Sequence, residues 1–363
     1  MLSTTALSSV HRELGAKMVD FSGWEMPLHY GSQVEEHMAV RQEAGMFDVS
    51  HMTIVDVTGD SAKAFLRYLL ANDVAKLEQV GHALYTAMLK PQGGVLDDLI
   101  VYRMEQGYRL VVNCATREKD LNWMRQQAAK FEVDLHERPQ LAIIAIQGPE
   151  ARQKFHKLLQ EADVKSVQSL SNFNGAYLTG HSQSFVARTG YTGEDGYEVI
   201  LPNDQAEQLW RSLLDEGVRP CGLGARDSLR LEAGYNLYGH EMDEDISPLV
   251  ANMAWTVDFS GEREFIGRSS LELEKETGIK DKLVGLVMQS RGMMREGFTV
   301  YSSDSARTGT VTSGSFSPVL GCSIALARVP VNIGLLAEVE LRGKRVQVDV
   351  VRPCFVRYGE PVA

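Results

Sequence analysis

The hydrophobic pattern of this chain changes at Lys282, and that change constrains the fold more than any other feature. Beyond Lys282, short alternating apolar runs are separated by turn residues, and helical spacing is largely absent. Before it, helical patterns over 61–69, 117–131 and 155–159 stand among strand-like segments such as 47–57 and 141–147. The strand-like segments 81–89, 95–102 and 108–113 follow one another and predict an antiparallel meander. The earlier part lacks long crossovers and predicts an α+β fold. The later part predicts an all-β domain, either a small barrel or a jelly-roll-like sheet.

The bulk properties of the sequence predict a soluble, cytoplasmic globular protein. A chain of 363 residues exceeds one ordinary hydrophobic core, so two or three domains are expected. No apolar run approaches the ~18 residues of a membrane span, and the first residues do not resemble a secretory signal. The four cysteines form no Cys-x-x-Cys pair, which argues against a zinc site and fits a reducing cytosol. The net charge of −11 argues against general nucleic-acid binding.

Two adjacent carboxylates, Asp97 and Asp98, lie inside the apolar segment Val95–Tyr102, which follows a turn at Gly93 and Gly94. The β-branched and aromatic residues of this segment predict a strand. Neighbouring side chains on a strand point to opposite faces, so the two aspartates cannot act as one paired-carboxylate site. A carboxylate on an apolar face is costly to bury unless something binds it. The alternative is that both aspartates cap the turn at the start of the strand.

Four other side chains are candidates for a site. Glu198 lies in an apolar strand after a glycine-rich turn, either in an apolar setting or at an exposed edge. Arg226 and Arg230 are four apart on one helix face, where they either form surface ion pairs or bind an anion or a carboxylate. No Cys or Ser nucleophile motif accompanies His51, which favours a structural or ligand-lining histidine over a catalytic base. The common phosphate-loop, zinc-protease and serine-hydrolase motifs are absent from the sequence.

Six motifs occur together and in order along the chain. Each is weak alone, but the ordered set is very specific. They are MVDFSGW at 18–24, FDVSHM at 47–52, GGVLDDLIV at 93–101, TGYTGEDG at 189–196, GARDSLRLEAG at 224–234 and GTVTSG at 309–314. In these motifs the chain resembles the T-protein family of the glycine cleavage system, the aminomethyltransferases, from about Gly15 to the C-terminus.

The resemblance implies three domains arranged as a cloverleaf around a central hole that binds tetrahydrofolate. Domain 1 would be discontinuous, with residues 1–53 and 141–245, and domain 2, over 54–140, would carry the catalytic aspartate. Both would contain mixed α/β structure with antiparallel sheets and would form the folate-binding region. A linker over 246–281 would lead to the all-β domain at 282–363.

The resemblance also implies a reaction and its partners. The family transfers a one-carbon unit from the aminomethyl group on the lipoyl arm of H-protein to tetrahydrofolate. The products are 5,10-methylenetetrahydrofolate, ammonia and dihydrolipoyl H-protein. Lipoylated H-protein would be the partner, within a system that also includes the P- and L-proteins. Tetrahydrofolate would be the co-substrate, without metal or flavin, and neither nucleic acid nor membrane would be a partner.

Site residues are implied position by position by the same resemblance. Asp98 matches the catalytic second aspartate of the family motif, whose carboxylate would act on N10 of the folate. Glu198 matches the pterin-binding glutamate, whose carboxylate can accept two parallel N–H groups. Arg226 matches a folate-binding arginine. The remaining folate-pocket residues of the family match Met52, Tyr85, Asn113, Tyr191 and, near the C-terminal end, Tyr358.

A second function stays open on the sequence alone. It is a folate-binding module without this chemistry, like the T-protein-related proteins that assist iron–sulfur assembly or tRNA modification. Those proteins carry a Lys-Gly-Cys-Tyr motif near the linker. The comparable region here, Glu264–Arg268, has the sequence EFIGR and no cysteine, which favours the enzyme.

Overall fold

The computed structural model describes residues 2–179, 181–302 and 305–362. The chain divides into two compact units, each assembled from three separate segments. The first unit comprises Met1–Leu66, Val74–Tyr85 and Leu99–Asp227, and the second comprises Arg67–Asp73, Thr86–Asp98 and Ser228–Ala363. The three-domain division expected from the sequence stays a prediction.

Strands and short helices alternate through the first 140 residues. The strands are β1 Ser3–Thr4, β2 Lys17–Phe21, β3 Trp24–His29, β4 Gly45–Asp48, β5 Thr53–Thr58, β6 Ala83–Leu89, β7 Val95–Arg103, β8 Tyr108–Val112 and β9 Asp134–Glu137, and the helices are α1 Ser8–Glu13, α2 Gln33–Gln42, α3 Ala62–Leu69 and α4 Arg117–Ala128. A small sheet has the order β1-β3-β2, and a five-stranded sheet has the order β6-β7-β8-β5-β9. The adjacency of β6, β7 and β8 confirms the predicted meander.

The prediction of one strand over 47–57 is wrong. β4 ends at Asp48 and β5 begins at Thr53, and the two strands belong to different sheets. Between them the chain turns, with the Met52 amide donating to the Val49 carbonyl at 3.1 Å. Both Val49 and His51 are buried within this turn, so the inside–outside alternation of the sequence continues through it although the strand does not.

Residues 141–233 complete a six-stranded sheet and its helices. The elements are β10 Leu141–Gln147, α5 Ala151–His156, α6 Glu161–Gln168, β11 Gly175–Leu178, β12 His181–Ala187, β13 Gly196–Pro202, α7 Asn203–Asp215, β14 Arg219–Pro220 and α8 Leu223–Ala233. The sheet order is β11-β12-β13-β10-β4-β14. All seven residues of β10 are buried, which confirms the apolar strand predicted there. The helix predicted through Phe155 to Leu159 ends earlier, at His156.

The core of this six-stranded sheet lies on the face covered by helices. Ile144 of the central strand and Trp210 of α7 belong to one apolar cluster, together with Phe155 of α5. Each is at most 1% exposed. Burial of such large side chains stabilises the sheet by roughly 2–3 kcal/mol each, so this layer is a firm support for residues on the opposite face.

The second unit contains a closed antiparallel barrel. Its elements are α9 Arg268–Thr277, β15 Asp281–Met288, β16 Thr299–Ser302, β17 Ser305–Ser317, β18 Cys322–Pro330, β19 Leu336–Leu341, β20 Lys344–Val351, β21 Val356–Arg357 and β22 Glu360–Pro361. The barrel closes in the order β15-β18-β17-β16-β19-β20. Of the two all-β alternatives, the barrel is therefore correct. The helix α9 lies within the segment that the sequence predicts as a linker.

A buried ion pair joins the C-terminal half of α8 to the barrel within the second unit. Arg230 Nη1 donates to Glu241 Oε2 at 3.0 Å, and the two side chains are 3% and 0% exposed. Glu241 Oε1 accepts hydrogen bonds from Thr312 at 2.6 Å and from Ser313 at 2.7 Å. The surface alternative is thus wrong for Arg230, which binds a carboxylate of its own chain.

Candidate active site

Two arginines bind Asp195 and hold the C-terminal end of the loop between β12 and β13. Arg188 donates to both carboxylate oxygens of Asp195 at 2.8 Å, and Arg152 donates at 3.1 Å. Burial raises the pKa of Asp195, but the hydrogen bonds from Arg188 and Arg152 outweigh that effect and hold the pKa below its usual value. Asp195 is therefore a charged anchor at the C-terminal end of the loop.

A buried ion pair fixes the middle of the same loop. Arg41 of α2 donates to Glu194 Oε1 at 2.7 Å and to the Thr192 carbonyl at 2.8 Å. The side chains of Arg41 and Glu194 are 1% and 3% exposed. Thr192 donates to Gln147 Oε1 at 2.9 Å, which ties the loop to the central strand β10. These contacts hold the segment that presents Tyr191.

Tyr191 and Arg226 form a stacked pair in the first unit. The guanidinium carbon of Arg226, in the first turn of α8, lies 4.5 Å from the centroid of the Tyr191 ring. Both side chains are half-buried. A cation held over an aromatic face at this distance is stabilised by about 0.5–2 kcal/mol and is constrained in orientation. The structure thus brings together two residues that the sequence predicts as site residues.

His51 lies beside this pair and is uncharged at neutral pH. Burial, followed by the positive charge of Arg226, lowers the pKa of His51 to about 4, although Asp48 acts in the opposite direction. The ring is 3% exposed and meets the edge of Phe21, with centroids 5.4 Å apart. Among the residues that the structure describes, Nδ1 of His51 has no hydrogen-bond partner. The imidazole is therefore a neutral, buried neighbour of the predicted site residue Met52.

Glu198 lies on an interior strand, which excludes the edge position considered from the sequence. β13 runs between β12 and β10, and Glu198 stands directly opposite Ala187 on one side and Ala145 on the other. Directly opposed residues share a sheet face, so the carboxylate is flanked by two methyl groups. Oε2 accepts a hydrogen bond from Thr189 Oγ1 at 2.5 Å. Oε1 accepts none from the described part of the chain.

Three further predicted residues lie on or beside the five-stranded sheet. Met52 directly precedes β5 and Asn113 directly follows β8. Because Thr53 pairs with Val112 in antiparallel register, Met52 and Asn113 lie side by side at this end of the two strands. Tyr85 is half-buried on β6 of the same sheet.

Asp98 lies on β7, in the second unit. Asp97 is 0% exposed, whereas Asp98 is half-buried, as strand alternation predicts. The strand begins tightly against a loop of the same unit: a Cβ at Gly94 would lie 1.8 Å from the Glu244 carbonyl oxygen. The Val95 amide donates to the Asp243 carbonyl at 2.9 Å. These contacts explain why a glycine precedes the strand and show that its first residues are firmly placed.

Tyr358, also in the second unit, is 59% exposed. It follows β21 in a left-handed conformation with φ of +50°, which positions it at the turn between β21 and β22.

The sequence patterns do not identify Thr189 and Tyr102 as neighbours of the candidate site in the first unit. Their hydroxyl oxygens lie 3.2 Å apart. Their separation of 87 residues hides the contact from any local pattern.

Family models match nearly the whole chain. The one described as the GCVT N-terminal domain matches residues 7–261. The one described as the glycine cleavage T-protein C-terminal barrel domain matches residues 282–357. The chain belongs to the glycine cleavage T-protein family. The family inferred from the six motifs is thereby confirmed.

Solved structures extend the comparison of this T-protein family member to its full length. The chain is similar to glycine cleavage system aminomethyltransferase T from Bartonella henselae, with 34% sequence identity, a TM-score of 0.91 and 99% of each chain covered. A match to the heterotetrameric sarcosine oxidase from Corynebacterium sp. U-96 in complex with pyrrole 2-carboxylate has 14% identity. It covers 51% of this chain and 90% of that chain, and its TM-score of 0.35 is too low to carry an argument.

Two further observations concern metals and membranes. Across residues 2–179, 181–302 and 305–362, no group of three or more His, Cys, Asp or Glu side chains is placed to hold a metal ion. No helix in these same ranges has the length and apolarity required to cross a bilayer. In the part of this T-protein family member that the structure describes, no disulfide bond joins any of the cysteines.

Proposed function

We propose that this protein is the aminomethyltransferase of a glycine cleavage system. It transfers the one-carbon unit from the aminomethyl-lipoyl arm of H-protein to tetrahydrofolate. The products are 5,10-methylenetetrahydrofolate, ammonia and dihydrolipoyl H-protein. The observation that carries the proposal is the 34% identity over 99% of both chains with an aminomethyltransferase. The proposal includes H-protein as partner, the P- and L-proteins in the same system, and a cytoplasmic location.

The surroundings of Glu198 suit a flat heterocycle with two N–H donors. The small side chains of Ala145 and Ala187 flank the carboxylate, and Oε1 accepts no hydrogen bond from a described residue. A pterin offers its 2-amino group and N3–H in parallel, and a carboxylate accepts such a pair in bidentate fashion. Glu198 is therefore the proposed pterin-binding residue.

Arg226 and Tyr191 suit a second part of the folate. Arg226 carries a permanent positive charge, and the planar guanidinium group suits recognition of a carboxylate. Met52, Tyr85 and Asn113 are the other proposed folate-binding residues of the first unit. Tyr358 is proposed as a folate contact on the resemblance alone.

Asp98 is the proposed catalytic residue. Tetrahydrofolate supplies N5 and N10, the two nitrogens that take the one-carbon unit. N10 is a weakly basic arylamine, so a carboxylate that accepts its proton increases its reactivity. Asp98 is half-buried on β7, where a carboxylate is less hydrated than in bulk water and interacts more strongly with a developing positive charge.

The test is turnover by the purified protein with aminomethylated H-protein and tetrahydrofolate. The expected result is one 5,10-methylenetetrahydrofolate and one ammonia for each H-protein arm consumed. Tetrahydrofolate binding without turnover would overturn the enzyme proposal in favour of a non-enzymatic folate-binding module. Absence of both binding and turnover would overturn the folate proposal itself.

A further inference from the structure

Three side chains in the first unit form a continuous chain of hydrogen bonds that ends on Glu198. Thr189 Oγ1 donates to Glu198 Oε2 at 2.5 Å, and the Tyr102 hydroxyl lies 3.2 Å from the same Thr189 oxygen. Tyr102 is 2% exposed and Thr189 is 9% exposed. These hydrogen bonds link β7 of the five-stranded sheet to β13 of the six-stranded sheet, through the loop after β12.

The direction of these hydrogen bonds follows from the number of protons. A threonine hydroxyl has one proton, and an ionised carboxylate can only accept. Thr189 therefore donates to Glu198, and Tyr102 must donate to Thr189. This requires a neutral tyrosine, and burial together with the negative charge of Glu198 raises the pKa of Tyr102 far above its ordinary value. The network is self-consistent only when Glu198 is the final acceptor.

The donors are themselves held in place. The Tyr102 ring meets Phe185 edge-on, with centroids 5.4 Å apart, and Phe185 is 0% exposed. The Thr189 carbonyl accepts from Gln147 Nε2 at 3.1 Å, so Thr189 is fixed through its backbone as well as its hydroxyl. The carboxylate therefore meets a donor whose position is set before any ligand arrives.

We propose that Thr189 and Tyr102 are positioning residues for folate recognition. Thr189 occupies Oε2 of Glu198, and Tyr102 holds the Thr189 hydroxyl in place. Together they orient the carboxylate so that Oε1 is presented to the N–H groups of the pterin. This inference rests on the proposed function, because it assumes that Glu198 binds the pterin. It adds two residues whose role is to set the orientation and acceptor character of another side chain.

The test measures binding of 5-formyltetrahydrofolate, a stable reduced folate, by titration calorimetry. Thr189→Val keeps the shape of the side chain and removes the hydroxyl, and we expect Kd to rise about tenfold. Thr189→Ser retains the hydroxyl, so Kd should return to within about threefold of the starting value. Tyr102→Phe keeps the ring packing and should weaken binding by about threefold or more. It also serves as a second variant if Thr189→Val does not fold.

A double-mutant cycle separates positioning from a general structural effect. In a Glu198→Ala background the carboxylate is gone, so Thr189→Val should cause no further loss of affinity. Tyr197→Phe is the matched control, because Tyr197 is also buried, hydrogen-bonds to Arg152 and Val167, and points to the opposite face of β13. It should lower the unfolding midpoint without changing Kd.

The outcomes distinguish this inference from the proposed function. If Glu198→Ala weakens binding but Thr189→Val and Tyr102→Phe do not, the positioning role is overturned and the proposed function stands. If Thr189→Val weakens binding equally in both backgrounds, its effect is only structural and the inference is again overturned. If Glu198→Ala binds the folate normally, the assignment of Glu198 falls, and with it the basis of the inference.

Discussion

His51 shows at the scale of one residue how the surroundings set a charge. Its ring is buried, and the guanidinium of Arg226 adds a repulsive positive charge, so the pKa of His51 falls to about 4. A neutral imidazole is compatible with the adjacent guanidinium, whereas an imidazolium would be repelled by it. At neutral pH the buried His51 therefore adds no second positive charge beside Arg226.

The pH dependence of stability should reflect this histidine. Its folded pKa of about 4 lies below the unfolded value of 6.5, so the unfolded state binds the proton more tightly. His51 therefore contributes a loss of stability as pH falls from about 6.5 to about 4, by roughly 3 kcal/mol in total. In urea titrations, the unfolding free energy of the wild type relative to His51→Gln should fall by that amount. A constant difference from pH 7 to pH 4 would contradict the burial of a neutral ring.

The carboxylates show how much of the site the sequence could predict. Strand alternation correctly separated Asp97 from Asp98, because that argument needs only the backbone repeat. The same argument could not place Glu198 on an interior strand, since pairing partners lie far away in the chain. Nor could it find Thr189 and Tyr102, whose contact depends on how two sheets pack. The role of Asp98 itself stays a prediction from the resemblance.

The loop between β12 and β13 is the element on which the proposed folate site depends most. It is held by charged contacts at both its middle and its end. The pair Arg41–Glu194 is buried, so the loss of one partner leaves an uncompensated charge away from water. The loop is therefore predicted to be rigid because its ion pairs are buried, not because of its glycine-rich sequence.

Arg41→Leu should destabilise the protein by about 3–5 kcal/mol and raise the KM for tetrahydrofolate through the loss of loop order around Tyr191. Chemical denaturation and steady-state kinetics would measure the two effects. Arg211→Leu is the matched control, because its partner Glu13 is 60% exposed and its own side chain is 42% exposed. Such a surface pair contributes at most about 1 kcal/mol. Equal effects of the two substitutions would contradict the importance of burial.

The prediction of secondary structure was correct where every residue of a segment has the same degree of burial. β10 is apolar throughout and buried throughout, so its pattern and its structure coincide. It failed at 47–57, where buried side chains continue through a turn, and at the end of α5, where Leu158 and Leu159 pack against the core without being helical. In both segments the burial was predicted correctly, but hydrogen bonding set a different backbone conformation.

The whole molecule should respond to its proposed ligand through binding linkage. A folate that binds the folded chain alone stabilises it by about 2.7 kcal/mol at a ligand concentration of 100 Kd. 5-Formyltetrahydrofolate should therefore raise the thermal unfolding midpoint in a concentration-dependent manner. In Glu198→Ala, the folate concentration that gives the same rise in midpoint should be higher, by the same factor as the increase in Kd. An unfolding midpoint that does not respond to the folate would contradict the proposed folate site.

At the scale of the whole molecule, the fold class of each part could be predicted from the sequence. A mixed α/β part followed by an all-β part is visible in the hydrophobic periods, and the barrel is one of the two forms that the sequence allowed. The choice of a closed barrel requires β15 to pair with both β18 and β20, a long-range contact that short alternating runs do not encode. Full-length similarity to an aminomethyltransferase then connects the fold to the proposed reaction.

The most direct test of that reaction compares two adjacent aspartates. Formation of 5,10-methylenetetrahydrofolate from aminomethylated H-protein is measured for Asp98→Asn and for Asp97→Asn, together with the unfolding midpoint of each. Asp98→Asn should lower kcat by about 10²–10⁴ while the fold is retained. Asp97→Asn, at a fully buried position, should affect mainly stability and leave turnover largely intact. Full activity in Asp98→Asn would contradict the proposed catalytic role of Asp98.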